Sequence, residues 1–479
     1  MWAIAAYITW MVIQFGFIIR VLLRPNREAS SRIAWIVVIA VVPIAGVIAY
    51  LFVGETSIGR KRIARARQAL TDMPVPDYAA SKFSAQKNAA LPNRWIPIFR
   101  LGETVNGFAP VTGNSAEFAA SSSEAIENLV ADMDAATDHI HVMFYIWLTD
   151  LNGVKVVDAL ERAAQRGVTC RVIVDDLGSR SMIKSKYWKS MANCGVKLAV
   201  ALRIGNPFLH PIRGRLDLRN HRKLVVIDGN VSYCGSQNCA DAEFRVKRKY
   251  APWVDVFIRF EGPVSHQNQY VFAIDWMRYG QEDLSDLLKR PLERGGEGFT
   301  AQVIATGPTG RPAAMPEVFV TLMYAAQWEL IVTTPYYVPN AAIQKALYGA
   351  ANRGVETTLV VPARNDSFVV AAASRSYYRE LLTAGVRIVE YEGGLLHTKS
   401  MTIDGEVTLV GSANMDRRSF DLNYENNVLV HDRAFTSRMR ERQRSYIDDS
   451  VPVSLTDVAM WSLPRQLWNN SLAMLGPLL

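Results

Sequence analysis

One pattern of chemically active residues occurs twice in the chain with the same spacing. Each copy has a histidine, a lysine two positions later, then an aspartate and a Gly-Ser-x-Asn segment. The copies are His221, Lys223, Asp228, Gly235, Ser236 and Asn238, and His397, Lys399, Asp404, Gly411, Ser412 and Asn414. Imidazole, ammonium, hydroxyl and amide groups in pairs suit a phosphodiester, which has one negative charge and two non-bridging oxygens. The repeat therefore predicts one phosphodiester site built from two half-sites.

The elements that carry this pattern are predicted to be strands. Residues 221–228 contain an apolar, β-branched run that ends in Asp-Gly, a sequence typical of a hairpin turn. On a strand, residues two apart share a face, so His221 and Lys223 are expected to point the same way. The second copy repeats this arrangement with His397 and Lys399. Each half should thus offer an imidazole beside an ammonium.

Composition limits the class of partner. The chain has 479 residues, a net charge of +8 and 49% hydrophobic residues, which predicts two or more well-packed domains. Its basic balance favours a phosphate-bearing partner, either nucleic acid or an anionic membrane. The four cysteines have neither C-x-x-C pairing nor a nearby histidine at zinc spacing. We predict no metal site and no cofactor.

The N-terminus predicts a membrane anchor. Residues 1–19 are almost wholly apolar and residues 33–53 form a second uncharged run, each long enough to cross a bilayer core of about 30 Å. We expect a two-helix transmembrane hairpin over 1–58, in preference to a cleaved signal peptide or two core helices. The segment between the two runs and the segment after the second run have almost equal numbers of basic residues. The positive-inside rule therefore hardly indicates which of the two segments lies in the cytoplasm. The interpretation adopted is a multi-pass protein of the bacterial cell (inner) membrane, with its catalytic domains on the cytoplasmic face.

The rest of the chain divides into a connector and two similar halves. Residues 59–108 are expected to be a juxtamembrane connector, 109–295 a first domain, and 296–479 a second domain with a C-terminal tail. Helical stretches that end in Arg-Gly-Val precede strand-like runs in both halves, which predicts α/β folds with a sheet covered on both faces. We expect the two α/β domains to form a pseudo-dimer. The oligomeric state is left open.

The double motif resembles that of the phospholipase D superfamily, and the whole chain resembles its bacterial cardiolipin synthase family. The second resemblance rests on softer patterns outside the motif. These are Pro43-x-x-Gly46 with Tyr50-Leu51-Phe52-x-x-Glu55, Thr306-Gly307-Pro308, Met415-Asp416-x-Arg418-Ser419 and the terminal Pro477-Leu478-Leu479. The resemblance implies two phospholipase D-like domains that share one active site.

The resemblance also implies roles for individual residues. His221 is expected to attack phosphorus and His397 to act as general acid and base. Lys223, Lys399, Ser236, Asn238, Ser412 and Asn414 would hold the phosphate oxygens. Acids beyond each Gly-Ser-x-Asn segment, Asp255 and Glu425, would orient the histidines. Asp228 and Asp404 are grouped with the catalytic motif, and we expect them to lock its turns by salt bridges.

The resemblance favours lipid chemistry over the alternatives. The predicted reaction is phosphatidyl transfer between two phosphatidylglycerol molecules, giving cardiolipin and glycerol through a phosphohistidine. A membrane-anchored hydrolase, a nuclease and a catalytically silent scaffold are the alternatives. The basic segment Arg245, Lys247, Arg248 and Lys249 could meet nucleic acid or anionic headgroups. Anionic lipid is the expected partner and nucleic acid is not; the acceptor alcohol stays open.

Overall fold

The computed structural model describes residues 1–24, 29–54, 64, 91–204, 217–280, 282–290 and 296–474. Most of the predicted connector, 59–90 apart from residue 64, therefore lies outside the described residues. So do the basic positions 60–62, 65 and 67 and the terminal Pro-Leu-Leu.

The N-terminal part is a pair of packed helices. Helix α1 (Trp2–Leu23) packs against α2 (Ala29–Val41), α3 (Pro43–Ala49) and a π-helical turn (Tyr50–Gly54). The amide of Gln14 donates to the Ile39 carbonyl at 2.8 Å, and Trp35 lies against Tyr50. At about 1.5 Å per residue, α1 is roughly 33 Å long, enough to span a hydrocarbon core.

The second predicted span differs from the expectation of one long helix. It is divided between Val42 and Pro43, because proline lacks the N–H and its ring excludes a regular preceding turn. Among the described residues, α1 is the one helix that is long and apolar enough to cross a membrane.

The first half of the remaining chain alternates strands and helices, preceded by α4 (Ile96–Asn106). Its strands are β1 (Val111–Phe118), β2 (His139–Phe144), β3 (Thr169–Asp175), β4 (Lys197–Ala201), β5 (Arg219–Asn220), β6 (Leu224–Ile227), β7 (Val231–Gly235), β8 (Trp253–Val254) and β9 (Phe257–Glu261). Its helices are α5 (Ser122–Ala135), α6 (Leu151–Gln165), α7 (Arg180–Ile183), α8 (Lys186–Asn193), α9 (Pro263–Tyr279) and α10 (Ser285–Leu288), with a 3₁₀ segment at Arg245–Tyr250.

The second half repeats this order. Its strands are β10 (Phe299–Thr306), β11 (Glu329–Thr333), β12 (Tyr337–Val338), β13 (Glu356–Pro362), β14 (Arg387–Tyr391), β15 (Leu395–Leu396), β16 (Ser400–Ile403), β17 (Val407–Gly411), β18 (Met415–Asp416), β19 (Asn423–His431) and β20 (Ser450–Val453). Its helices are α11 (Ala314–Ala325), α12 (Ala341–Asn352), α13 (Phe368–Ser376), α14 (Tyr378–Thr383), α15 (Arg417–Asp421), α16 (Arg433–Asp448), α17 (Leu455–Ala459) and α18 (Leu463–Met474).

One sheet runs through both halves. Its strand order is β20-β14-β13-β11-β16-β17-β19-β10-β1-β9-β7-β6-β2-β3-β4. Apart from the extra edge strand β20, the order reads the same outward from the antiparallel β1–β10 pair, with β9 matching β19 and β2 matching β11. The fold is mixed α/β with two similar halves, and the sheet joins them at its centre.

Two short strands are exchanged between the halves. Strand β5 of the first half pairs in parallel with β19 of the second, so that Arg219 lies opposite Asn423. Strand β8 of the first half pairs in parallel with β15 of the second, so that Trp253 lies opposite Leu395. Each of these pairs ends one residue before a motif histidine, and this exchange positions the site.

The C-terminal helix α18 has both buried and exposed apolar residues. It packs along α13, and Leu472 is buried there. Leu467, Trp468 and Met474 of the same helix are exposed. The helix therefore covers the second half and presents an apolar face to solvent.

Candidate active site

The motif histidines precede their strands, which corrects the expectation that each His-x-Lys lies within a strand. Residues 221–223 lie between β5 and β6, and 397–399 lie between β15 and β16. Each histidine is instead fixed by the opposite half: the His221 N–H donates to the Tyr424 carbonyl at 2.9 Å, and the His397 N–H donates to the Val254 carbonyl at 2.8 Å. The hairpin after the first copy is present, with β6 paired to β7 around Asp228.

This exchange brings the predicted acids to the histidines crosswise. Glu425 follows Tyr424 on β19, and its carboxylate accepts from His221 Nδ1 at 2.9 and 3.0 Å. Asp255 follows β8, and its Oδ1 accepts from His397 Nδ1 at 2.7 Å. With Nδ1 committed to a carboxylate, Nε2 is the nitrogen of each ring that remains for chemistry.

The carboxylate of Glu425 is held by more donors than that of Asp255. Besides His221, it accepts from the Ser412 hydroxyl, from Ser419 Oγ at 3.0 Å and from Asn423 Nδ2 at 3.1 Å. Asp255 accepts from His397 and from Ser236 Oγ, the latter at 2.6 Å. Burial alone would raise the pKa of both acids. The charge of the neighbouring histidine and the hydrogen bond that it donates are the largest causes acting in the opposite direction, and the pKa of each acid is lowered.

The two serines of the motif thus bond to acids in the structure. Ser236 and Ser412 are fully buried and donate to Asp255 and Glu425, and each accepts the backbone N–H of the residue that follows its acid. A direct contact with phosphate, as the sequence suggested, would require exchanging these bonds. The preceding glycines are required because a Cβ at Gly235 or Gly411 would collide with the facing backbone.

The lysine ammonium groups bond to the backbone carbonyls of the histidines, while the asparagines line the cavity. Lys223 Nζ donates to the His221 carbonyl at 2.7 Å and Lys399 Nζ to the His397 carbonyl at 2.5 Å. Both ammonium groups are buried. Burial lowers the pKa of both lysines, that of Lys399 to about 8 although Asp255 and Glu425 act in the opposite direction. Asn238 Oδ1 accepts the Ile146 N–H at 3.2 Å, which leaves its amide group to donate.

The two aspartates of the motif have a structural role. Asp228 accepts backbone N–H groups of residues 137–139 at 2.8–2.9 Å, where β2 begins. Asp404 does the same for residues 327–329 at the start of β11 and forms an ion pair with Arg94. Neither side chain lines the cavity. Their grouping with the catalytic residues is therefore corrected: they fix the turns, mainly through backbone N–H groups.

Both histidines face one cavity of about 670 Å³ between the halves. The charges are close enough to interact across it, since Lys399 lowers the pKa of His221 and Lys223 lowers that of His397. Burial is the largest cause in both cases, and it lowers the pKa of His221 to about 4. The four predicted residues on the cavity wall are His221, His397, Asn238 and Asn414.

Several wall residues were missed by sequence reasoning. Tyr145 lies with its ring centroid 4.9 Å from that of His221, and Trp253 lies 4.6 Å from His397. Tyr145 lies one residue after β2 and Tyr336 three residues after β11, so an aromatic residue shortly beyond the corresponding strand of each half was the available signal. The predicted basic segment contributes Lys247, which forms an ion pair with the buried Asp366 of the other half at 2.5 Å.

Comparison with known proteins identifies the family. The model described as "Cardiolipin synthase, PLD-like domain" matches residues 129–254 and 319–446, together more than half of the chain. The chain belongs to the cardiolipin synthase family of the phospholipase D superfamily. A second model, "Phospholipase_D-nuclease N-terminal", matches residues 12–55 of this family member. As a member of the family, the protein is a phosphatidyltransferase associated with the membrane.

Individual relatives and a solved structure agree with this family. Cardiolipin synthase A of Yersinia pseudotuberculosis serotype O:3 (strain YPIII) is 37% identical over 96% of this chain and 94% of the relative. Cardiolipin synthase A of Edwardsiella ictaluri (strain 93-146) is 36% identical over 96% of both chains. The crystal structure of phosphatidylserine synthase from Haemophilus influenzae Rd KW20 aligns with a TM-score of 0.59 and 15% identity, over 80% of this chain and 97% of that chain. That likeness shows the fold.

Proposed function

We propose that the protein transfers a phosphatidyl group from one phosphatidylglycerol molecule to another, giving cardiolipin and glycerol. The observation that carries this proposal is the pair of cross-oriented imidazoles on a single cavity. The names of the family and of its cardiolipin synthase A relatives support the choice of lipid substrate.

The first step forms a phosphohistidine. Nε2 of His221 attacks the phosphorus of the donor lipid, the P–O bond to the glycerol headgroup breaks, and His397 gives its Nε2 proton to the departing glycerol oxygen. Glu425, held by Ser412, Ser419 and Asn423, offsets the positive charge that develops on His221.

The second step reverses these roles. The terminal hydroxyl of a second phosphatidylglycerol attacks phosphorus, His397 takes its proton, and the P–N bond to His221 breaks. Atoms and charge balance without an outside reagent. The outcome depends on a lipid hydroxyl, rather than water, reaching the intermediate.

The choice of His221 as nucleophile rests on the asymmetry of the two imidazoles. Burial lowers the pKa of both rings, that of His221 to about 4, and Glu425, which orients His221, is held by more donors than Asp255. A neutral Nε2 is therefore the resting state of His221 at neutral pH. A bound phosphate anion would raise the pKa of His397 and favour the protonated ring that the first step requires.

The two buried lysines and the two cavity asparagines would stabilise the transition state. Lys223 and Lys399 place positive charge beside both rings, and Asn238 and Asn414 line the space where phosphate oxygens would lie. We propose that these groups supply the charge stabilisation, so that activity persists in a chelator of divalent metals.

Incubation of purified full-length protein with phosphatidylglycerol in mixed micelles tests the function. Cardiolipin and glycerol should form in equal amounts, with or without chelator. Phosphatidic acid as sole product would favour the hydrolase alternative. Cleavage of single-stranded DNA without lipid turnover would favour the nuclease alternative. Strict dependence on a nucleotide-activated lipid or on a divalent metal would contradict the mechanism.

We further propose that both N-terminal helical segments cross the cell membrane, with the catalytic part on the cytoplasmic face. The length of α1 and the helical residues 29–54 packed against it support this topology. The boundaries 1–58, 59–108, 109–295 and 296–479 remain our proposed division of the chain. Single cysteines placed at residue 3 and between residues 24 and 29 should give opposite results when intact cells are labelled with a membrane-impermeant reagent; equal labelling would contradict two spans.

A further inference from the structure

The two ends of the cavity have different chemistry. Around His397 the wall is apolar: the Trp253 ring lies 4.6 Å from the imidazole and stacks on Phe244 at 4.0 Å. Val246 and Val370 extend this surface. The one ion pair described on this side, Lys247 with Asp366, is neutral overall. This end suits hydrocarbon or an uncharged portion of a lipid.

The end around His221 carries arginine side chains. The Tyr145 ring lies 4.9 Å from the imidazole, and Arg219 donates a hydrogen bond to the Tyr145 hydroxyl. The charge of Arg418 also acts on that hydroxyl, and its guanidinium donates to the Asp217 carbonyl, two residues before Arg219. Arg180 lines the same wall beyond Gly178, which lies against Tyr145.

These arginines are additional to the charges beside the reacting phosphorus. Lys223 and Lys399 are buried with Glu425 and Asp255, so two ammonium groups face two carboxylates. The acids near the arginines form weaker pairs: Asp217 lies 4.0 Å from Arg418, and Asp176 lies 3.9 Å from Arg180. Asp416 also lines the wall, and its carboxylate accepts the Ser419 N–H at 2.7 Å. Arginines and aspartates are thus matched in number at the His221 end, but the separations of 3.9 and 4.0 Å leave Arg180 and Arg418 able to turn towards a second anion that the first phosphate does not occupy.

The proposed transfer reaction does require a second anion site. Its acceptor is itself a phosphodiester, and the attacking hydroxyl is joined to the acceptor phosphate by a three-carbon arm. Two phosphate anions at such a separation repel each other strongly in a buried cavity unless cations lie between or around them. Arginine binds phosphate oxygens in a bidentate manner. Arg219 is separated from His221 by about the length of the Tyr145 side chain, which contacts both residues.

We propose that Arg180, Arg219 and Arg418 form a second phosphate subsite that binds the phosphodiester of the acceptor lipid. The subsite selects an anionic lipid alcohol over water, neutral alcohols and zwitterionic lipids. This inference rests on the proposed function and names the acceptor class for the same cavity. The donor phosphate would lie between the histidines, with the acceptor phosphate at the arginine end.

Product partitioning tests the subsite. A fixed amount of labelled phosphatidylglycerol donor is supplied with unlabelled phosphatidylglycerol or with ethanol as acceptor, and cardiolipin, phosphatidylethanol and phosphatidic acid are quantified. For the double variant Arg180→Gln/Arg418→Gln, the ratio of cardiolipin to phosphatidylethanol should fall by at least about tenfold, because charge-assisted hydrogen bonds to the acceptor are lost. Total donor cleavage in ethanol should stay within about threefold of wild type.

Two further variants sharpen the result. Arg219→Lys keeps the charge at the buried position but loses the bidentate fork, so its partition ratio should lie between wild type and the double variant. Arg433→Gln removes an exposed arginine outside the cavity and should leave the ratio unchanged.

The outcomes separate this subsite from the function itself. Equal losses of transfer to ethanol and to phosphatidylglycerol, or an unchanged ratio, would overturn the subsite while leaving the synthase function intact. A wild-type protein that makes phosphatidylethanol but no cardiolipin would overturn both proposals.

Discussion

The two halves share a fold and a motif but differ around their histidines. His221 is oriented by Glu425, which Ser412, Ser419 and Asn423 also hold, and it lies beside a tyrosine and an arginine. His397 is oriented by Asp255, which among the described residues Ser236 also holds, and it lies beside a tryptophan. Duplication supplies two equivalent positions, and the surrounding residues give them different properties. The comparison teaches that a symmetric backbone can support an asymmetric pair of catalytic roles.

Removal of either imidazole is expected to have the largest effect. His221→Asn and His397→Asn should each lower the turnover of phosphatidylglycerol by at least about three orders of magnitude, because each step of the transfer uses both rings. Cardiolipin formation by purified protein in micelles measures this. His431→Asn, a partly exposed histidine away from the cavity, serves as the control. Retention of most activity by His397→Asn would contradict the shared site.

Substitution of the orienting acids should separate the two roles. Glu425→Gln and Asp255→Asn should each cost about 10²- to 10⁴-fold in turnover, since each leaves an imidazole without its carboxylate. A phosphatidyl donor with a p-nitrophenol leaving group needs no general acid, so the first-turnover release of p-nitrophenol should recover in Asp255→Asn and stay slow in Glu425→Gln.

The crossed arrangement is decisive for this result. If each acid oriented the histidine of its own half, Glu425→Gln would be the variant that recovers. Circular dichroism of both variants controls for folding.

Much of this arrangement was predictable from the sequence, but the crossing was not. The repeat and the hydrophobic runs predicted the histidines and the α/β halves, because local spacing encodes them, and the resemblance to the superfamily supplied the two acids. Which acid meets which histidine depends on the two-residue pairs β5–β19 and β8–β15, which join positions about two hundred and about one hundred and forty residues apart. No local pattern encodes such pairings. Likewise, the hydropathy of residues 33–53 did not show that Pro43 divides the helix.

The pH dependence of kcat/KM should report the protonation state of the buried Lys399. The pKa of Lys399 is lowered to about 8 by burial, so its ammonium loses its proton as pH rises through that value. Only the charged form binds the phosphate, and kcat/KM should therefore fall by about tenfold per pH unit above about pH 8. In kcat the same decline should move to higher pH, because bound phosphate stabilises the ammonium. A profile of kcat/KM that stays flat to pH 10 would contradict this role.

The smallest effects on turnover should come from the turn-fixing aspartates. Asp228→Ala and Asp404→Ala each remove the acceptor of backbone N–H groups, of which those of His139 and Glu329 are partly buried, at a cost of about 1–3 kcal/mol in the free energy of unfolding. The loss should be larger for Asp404, which also forms the ion pair with Arg94. Thermal unfolding in detergent measures the difference. A kcat lowered by orders of magnitude with unchanged stability would restore these residues to the catalytic group.

Trapping the covalent intermediate tests the central claim most directly. In His397→Asn, the p-nitrophenol donor should react once with His221 and then stop, because no base remains to activate the acceptor alcohol. The account predicts a stoichiometric burst of p-nitrophenol and a phosphatidyl adduct that mass spectrometry locates on His221. A burst in His221→Asn with the adduct on His397, or no adduct in either variant, would contradict it.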